Sequence, residues 1–214
     1  MQDKVTIINY GMGNLRSVAQ AFAHIGADPI LVSGAEEIEA AECLVLPGVG
    51  AFGKAMYELR TRELVEPIRA YARSGRPILG ICLGMQMLLD ESDEFGRHEG
   101  LGIIPGQVRR ISDTGADGTP HRIPHIGWAP LQPAEGGGNW ETSILRNTAP
   151  GDSVYFVHSY FARPTAPEDR IAVADYDGLP LAATIGKANI WGCQFHPEKS
   201  GDVGLRILKS FLDV

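Results

Sequence analysis

One stretch limits what this chain can fold into more than any other: Pro77-Ile78-Leu79-Gly80-Ile81-Cys82-Leu83-Gly84-Met85-Gln86. A mainly apolar run reads as a buried strand, a helix-forming run over 83–89 follows with no linker, and Gly80 and Gly84 bracket Cys82. A strand that passes straight into a helix needs a sharp turn. Residues beside that turn approach neighbouring backbone closely, which selects glycine. Such an elbow lifts its apical side chain above the sheet edge and sets it at a helix N-terminus. The free N–H groups and partial positive charge there favour a thiolate over a thiol. Cys82 is therefore a candidate nucleophile. Plain packing behind a core strand is the alternative, because free cysteine is among the most buried residue types.

The segments ahead of the elbow repeat the same alternation. Val5-Thr6-Ile7-Ile8-Asn9, Pro29-Ile30-Leu31-Val32 and Cys43-Leu44-Val45-Leu46 read as strands. Helical spacing follows them over 15–25, 35–41 and 52–73, the last interrupted near Arg62. Strands alternating with helices predict a parallel sheet covered on both faces. The second half has another texture. Strand patterns recur at 106–111, 153–157, 171–175, 182–185 and 190–194, and the stretches 112–120 and 133–139 are rich in turn residues. Only 203–212 returns to helical spacing, with Leu205, Leu208, Phe211 and Leu212 on one face. The expected fold class is α/β: a mostly parallel sheet with helices on both faces, antiparallel strands added at its edge in the C-terminal half, and a closing helix. With no repeat and no long linker, one domain over 1–214 is expected.

Charge and composition narrow the function classes. Nineteen Lys and Arg stand against 26 Asp and Glu, a net charge of −7, which argues against general nucleic-acid or acidic-membrane binding. No apolar run approaches the roughly 20 residues of a membrane span. Met1-Gln2-Asp3 puts an acid ahead of the first strand, unlike a secretory signal. The cysteines Cys43, Cys82 and Cys193 are odd in number and lack tight metal-ligand spacing. No disulfide framework and no metal site are expected, and a reducing cytoplasm is the natural setting. Gly11-Met12-Gly13-Asn14-Leu15-Arg16 opens like a dinucleotide fingerprint, but Arg16 takes the third glycine's place and Ser33-Gly34 stand where a ribose-binding acid belongs. No cofactor is expected.

Two further motifs bear on Cys82. Ile190-Trp191-Gly192-Cys193-Gln194-Phe195-His196-Pro197-Glu198 is an apolar strand that Pro197 forces to stop. His196 then falls at a strand end, on the edge where the elbow puts Cys82. A thiol needs a base to become a nucleophile, and the imidazole needs a third group to fix its tautomer; Glu198 is within reach of the ring. Leu46-Pro47-Gly48-Val49-Gly50 is a glycine turn after a buried strand, able to aim backbone N–H groups at a developing oxyanion. The N–H of Leu83, next after the nucleophile, is the partner donor of such an elbow.

Together these motifs resemble the class I (triad) glutamine amidotransferases. Asn9-Tyr10-Gly11-Met12-Gly13-Asn14-Leu15-Arg16, Pro124-His125-Ile126-Gly127-Trp128, Tyr155-Phe156-Val157-His158-Ser159-Tyr160 and His196-Pro197-Glu198-Lys199-Ser200-Gly201 are similar to the branch that serves imidazole glycerol phosphate synthase in histidine biosynthesis. The resemblance spans almost the whole chain. It implies hydrolysis of glutamine to glutamate and ammonia by Cys82, His196 and Glu198, with an oxyanion held by the N–H groups of Val49 and Leu83. It implies substrate contacts from Gly48, Gln86, Glu94, Ser159 and Tyr160. It also implies a heterodimer with a (β/α)8-barrel cyclase subunit that receives the ammonia through a channel, with Asn14, Arg16, Trp128 and Lys199 at the interface. Glu94 in Asp90-Glu91-Ser92-Asp93-Glu94 also reads as a solvated acidic helix end, Arg16 and Lys199 as surface charges, and Trp128 as a core residue. Rival readings are a glutaminase serving another synthase of the same superfamily, a stand-alone cysteine hydrolase, and a scaffold subunit without activity.

Overall fold

A computed structural model describes residues 4–214; Met1, Gln2 and Asp3, on which the reading against a secretory signal rests, lie outside the described residues. The first half alternates as the sequence predicts: β1 (Lys4–Ile8), α1 (Leu15–His24), β2 (Asp28–Val32), α2 (Ala35–Glu39), β3 (Cys43–Gly48), α3 (Phe52–Thr61), α4 (Val65–Arg73), β4 (Ile78–Cys82) and α5 (Leu83–Met87). The break between α3 and α4 falls at Arg62, where the sequence places it. Successive strand residues point to opposite faces of a sheet. Ile8, Leu44, Leu46 and Ile78 accordingly pack with α3 and α4, while Val5, Ile7, Val45, Leu79 and Ile81 pack with α1 and the C-terminal helix. Both faces are apolar, which is why these strands read as unbroken apolar runs rather than alternating ones.

The second half holds β5 (Glu91–Ser92), β6 (His98–Glu99), β7 (Gly106–Arg110), β8 (His125–Pro130), β9 (Gln132–Pro133), β10 (Ser153–His158), β11 (Tyr160–Pro164), β12 (Arg170–Tyr176), β13 (Leu179–Lys187), β14 (Ile190–Cys193) and α6 (Gly201–Leu212). The main sheet runs β2-β1-β3-β4-β14-β13-β12-β9. Its first five strands are parallel, and β13, β12 and β9 add antiparallel beyond β14. Edge addition is thus as expected. Two smaller sheets were not expected: a ribbon of β10 with β8, and a four-stranded sheet β11-β7-β5-β6. β5 and β6 are two residues each, too short to carry a period. β8 lies in Pro124-His125-Ile126-Gly127-Trp128-Ala129-Pro130, whose prolines and glycine read as turn chemistry.

Helix α5 ends after five residues, short of the predicted run to 89. The carbonyls of Met87, Leu88 and Leu89, which a longer helix would use, accept instead from the N–H groups of Leu101, Ile103 and Gly102. Among the described residues no helix is long and apolar enough to cross a membrane, and no disulfide joins the three cysteines.

Candidate active site

In the parallel register Gly48 of β3 lies opposite Cys82 of β4, and Cys193 of β14 lies opposite Ile81. Three neighbouring strands therefore end together. Their carboxyl ends deliver the Gly48-Val49-Gly50 turn, the Cys82 elbow and the Gln194-Phe195-His196 segment to one edge, where open α/β sheets hold their ligands.

Cys82 has φ 54° and ψ −111°, a left-handed backbone that a side-chain-bearing residue rarely adopts. Such a conformation costs on the order of 1–3 kcal/mol and persists only when its surroundings enforce it. The enforcing contacts are close. A Cβ added at Gly84 would lie 1.8 Å from the Leu46 carbonyl oxygen, and one at Gly80 would lie 2.7 Å from the Met85 nitrogen. Only glycine lets β3, β4 and α5 come this near.

His196 sits almost fully buried at the end of β14. Its N–H donates to the Tyr155 carbonyl at 3.0 Å. Its own carbonyl accepts from the Ser200 hydroxyl at 2.7 Å, and that hydroxyl accepts from the Tyr155 N–H at 3.0 Å. Pro197 starts a single 3-10 turn over Pro197–Lys199 that brings Glu198 back to the ring. Nδ1 of His196 lies 2.8 Å from Oε1 of Glu198, whose side chain is 1% exposed. With Nδ1 taken by Glu198, Nε2 is the nitrogen left for the Cys82 sulfur across the same cavity. Burial disfavours a charged ring, but the hydrogen bonds to Cys82 and Glu198, with their charges, outweigh it and raise His196 from 6.5 to about 10.

A cavity of about 310 Å³ opens beside Cys82 and His196, at the small end of the roughly 300–1,000 Å³ range of ligand pockets. Val49, Leu83, Gln86, Glu94, Ser159 and Tyr160 all line it. Gly48 does not. It is wedged beneath the turn, where an added Cβ would lie 2.8 Å from the Tyr10 hydroxyl and 2.9 Å from the Gly84 nitrogen. Glu94 is no loose acid, since its carboxylate accepts from the Phe52 N–H at the start of α3. Both hydrogens of the Gln86 amide are committed, to the Tyr160 carbonyl at 2.9 Å and to Oε1 of Gln194 at 3.0 Å, so a ligand would meet its oxygen.

Several residues at the cavity were given no role by the sequence reading. His158 lines it, and its Nδ1 lies 2.9 Å from the Tyr160 carbonyl. That carbonyl can only accept, so Nδ1 carries the hydrogen, Nε2 accepts, and Nδ1 of His125 donates to it at 3.1 Å. Burial, aided by the neighbouring His125 and His196 charges and opposed by the Tyr160 carbonyl, lowers His158 to about 4. Burial likewise lowers His125. The two histidines face each other across the β8–β10 ribbon. Because that pairing was not expected, nothing in the sequence pointed to it.

The four residues assigned to an interface lie on or near this edge. Asn14 stands just before α1 and Arg16 is exposed in its first turn, and α1 packs against the turn that carries exposed Lys199. Trp128 is 58% exposed on β8, against the Tyr155 ring at 6.2 Å, and is not a core residue. Ile126, 60% exposed, lies two residues before it on the same strand face.

The profile of the class-I glutamine amidotransferases matches residues 6–214, and the chain belongs to that family, one of glutamine-hydrolysing enzymes. Among curated relatives it is 53% identical to "Imidazole glycerol phosphate synthase subunit HisH 1" of Legionella pneumophila (strain Lens), over 98% of this chain and 99% of that protein. It is 44% identical to "Imidazole glycerol phosphate synthase subunit HisH" of Bacillus cereus (strain ATCC 10987 / NRS 248), over 98% of this chain and 94% of that protein. Solved structures share the fold at low identity. PurLQS from Thermotoga maritima superposes with a TM-score of 0.75 at 18% identity, covering 100% of this chain and 99% of that one. A glutamine amidotransferase superposes at 0.72 and 19%, covering 97% of each.

Proposed function

We propose that the chain, as one amidotransferase domain, is the glutaminase subunit of an imidazole glycerol phosphate synthase, and that it supplies ammonia to a cyclase subunit. One observation carries the chemistry: Cys82 and His196, from distant stretches of chain, line one amino-acid-sized cavity, and Glu198, two residues after His196, holds the Nδ1 of its ring. In the proposed reaction the Cys82 sulfur, as a thiolate paired with the His196 cation, attacks the side-chain amide carbon of glutamine. A C–S bond forms and the C=O electrons move onto oxygen, towards the N–H groups of Val49 and Leu83. Nε2 of His196 gives its proton to the leaving nitrogen, the C–N bond breaks, and ammonia departs from a thioester. The ring then takes a proton from water as its oxygen attacks, and collapse returns the electron pair of the C–S bond to sulfur and releases glutamate. Glu198 holds Nδ1–H and balances the cation in both steps. Gln86, Glu94, Ser159 and Tyr160 are proposed to bind the amino-acid end of the substrate, with Gly48 shaping the turn from beneath.

The names of the relatives support the partner, and the exposed apolar pair Ile126 and Trp128 supports a docking face. The proposed partner is the (β/α)8-barrel cyclase subunit, reached by an ammonia channel, in a reducing cytoplasm. Co-purification with that cyclase, followed by glutamine turnover with and without its ligand, tests the whole reading. Turnover that rises with the ligand-bound cyclase is expected. No association, or equal turnover in all arms, would remove the partner. Labelling by a glutamine-analogue alkylator outside Cys82 would remove the chemistry.

A further inference from the structure

Gln194 is fully buried just past the end of β14 and belongs to no part of the triad. Its Nε2 lies 3.8 Å from Sγ of Cys82. The oxygen and nitrogen of an amide have nearly the same shape, so which end faces the sulfur must follow from the partners. A backbone carbonyl supplies the reference, because it can only accept. Gln86 must therefore turn its nitrogen to the Tyr160 carbonyl. The second hydrogen of that nitrogen points to Gln194, which must answer with its oxygen. The Gln194 nitrogen is then left aimed at sulfur. The Tyr160 carbonyl of β11 thus fixes the sense of Gln86, and from Gln86 the donors run through the Gln194 amide to the nucleophile.

We propose that Gln194 is a catalytic residue: an N–H donor to the Cys82 thiolate, locked in that sense by Gln86. The proposal rests on the reading of Cys82 as the nucleophile. The His196 ring can give the sulfur one hydrogen bond at most, and a buried anion is costly unless further donors surround it. A neutral amide meets that need without competing for the proton that His196 must pass to the departing ammonia. Its contact strengthens whenever the sulfur carries full charge, so it acts twice. It favours the anion that opens the reaction, and it stabilises the sulfur as the electron pair of the C–S bond returns to it on thioester breakdown. The thioester sulfur between these events is neutral and holds the contact weakly.

The test reads the thiolate directly. The full-length chain is alkylated with iodoacetamide across a range of pH, and modification at the Cys82 peptide is followed by mass spectrometry. Gln194→Met keeps length and bulk but removes the donor; Gln194→Glu keeps the shape and turns the donor into an acceptor. Loss of a hydrogen bond to a charged group predicts that Gln194→Met alkylates about tenfold more slowly near neutral pH, its profile displaced upward by about one pH unit. Gln194→Glu should be displaced further, and kcat for glutamine should fall by a similar factor with KM unchanged. A Gln194→Met protein with native thermal unfolding and the wild-type alkylation profile overturns the proposal. If that variant does not fold, Gln86→Met, which frees the Gln194 amide to rotate, must give a smaller shift in the same direction, and an unmoved profile overturns it equally. The alkylation readout does not depend on glutamine. A wild-type chain that alkylates at Cys82 but hydrolyses no glutamine beside its cyclase would end the proposed function while leaving Gln194 to be judged on its own profile.

Discussion

Two buried histidines share one cavity, and the regions that hold them drive their protons in opposite directions. His196, at the end of the parallel strand β14, has a carboxylate on one ring nitrogen and a sulfur on the other, and is raised to about 10. His158, at the end of the antiparallel strand β10, has only neutral partners, the Tyr160 carbonyl and the His125 ring, and is lowered to about 4. Burial disfavours the charged form of both. The difference lies in what each region buries with the ring. The β14 end sets Cys82 and Glu198 beside the ring and favours its proton; the β8–β10 ribbon sets a carbonyl and a second imidazole beside it and does not. The His196 side of the cavity is thus suited to proton transfer, and the His158 side to positioning.

The largest effects should come from removing the anions on the His196 side. Cys82→Ala should reduce glutamine hydrolysis by at least about 10⁴-fold, measured as glutamate released beside the cyclase, because it removes the proposed attacking atom. Retention of turnover would show that the sulfur is not the reacting atom. Glu198→Gln should lower kcat by about 10²–10⁴-fold while leaving KM nearly unchanged, since it leaves the ring in place but removes the charge that balances it. NMR titration of His196 in that variant should move down towards its ordinary value; a ring still held near 10 would place the controlling anion elsewhere.

Stability against pH should separate the two regions next. A folded value raised from 6.5 to about 10 makes the His196 contribution full below 6.5 and progressively lost as pH climbs through 10. A folded value lowered from 6.5 to about 4 makes the His158 contribution full above 6.5 and progressively lost as pH falls towards 4. Thermal melts should therefore decline on both limbs. Cys82→Ala should flatten the alkaline limb alone and His158→Gln the acid limb alone, each by on the order of 2 kcal/mol at its extreme. A His158→Gln protein with an unaltered acid limb would contradict its assignment as a neutral buried ring. The smallest effect should be kinetic. The same variant disturbs the Tyr160 carbonyl that also holds Gln86, and should raise KM for glutamine about fivefold with little change in kcat. A fall in kcat at constant KM would instead give His158 a part in proton transfer.

The two regions also differed in how far they could be read in advance. Strands β1, β3 and β4 are buried on both faces and end near glycine, so each is an apolar run with punctuation, and their alternation with helices made the parallel sheet legible. His196 and Glu198 were legible because Pro197 ends a strand between them. Glu94 was legible only by resemblance, since five consecutive polar residues at 90–94 carry no period of their own. Strands β7 and β10 were read, but their partners β8, β11, β5 and β6 were not, because short strands, or ones holding proline and glycine, look like loops. With the ribbon went His125 and His158. Gln194 stood in plain view beside a predicted catalytic residue, but a glutamine in an apolar strand carries no chemistry until its partners are known.

By itself the sequence determined the α/β alternation, the cysteine elbow and the edge at which the chemistry gathers, because these depend on local periodicity, on glycine where backbones meet, and on proline where a strand must stop. The tertiary structure alone decided the charge state of each histidine, the direction of the amide chain that reaches the sulfur, and the exposure of Trp128. Those depend on which groups from remote segments are buried together, and an electrostatic environment belongs to the packed whole rather than to any stretch of the chain.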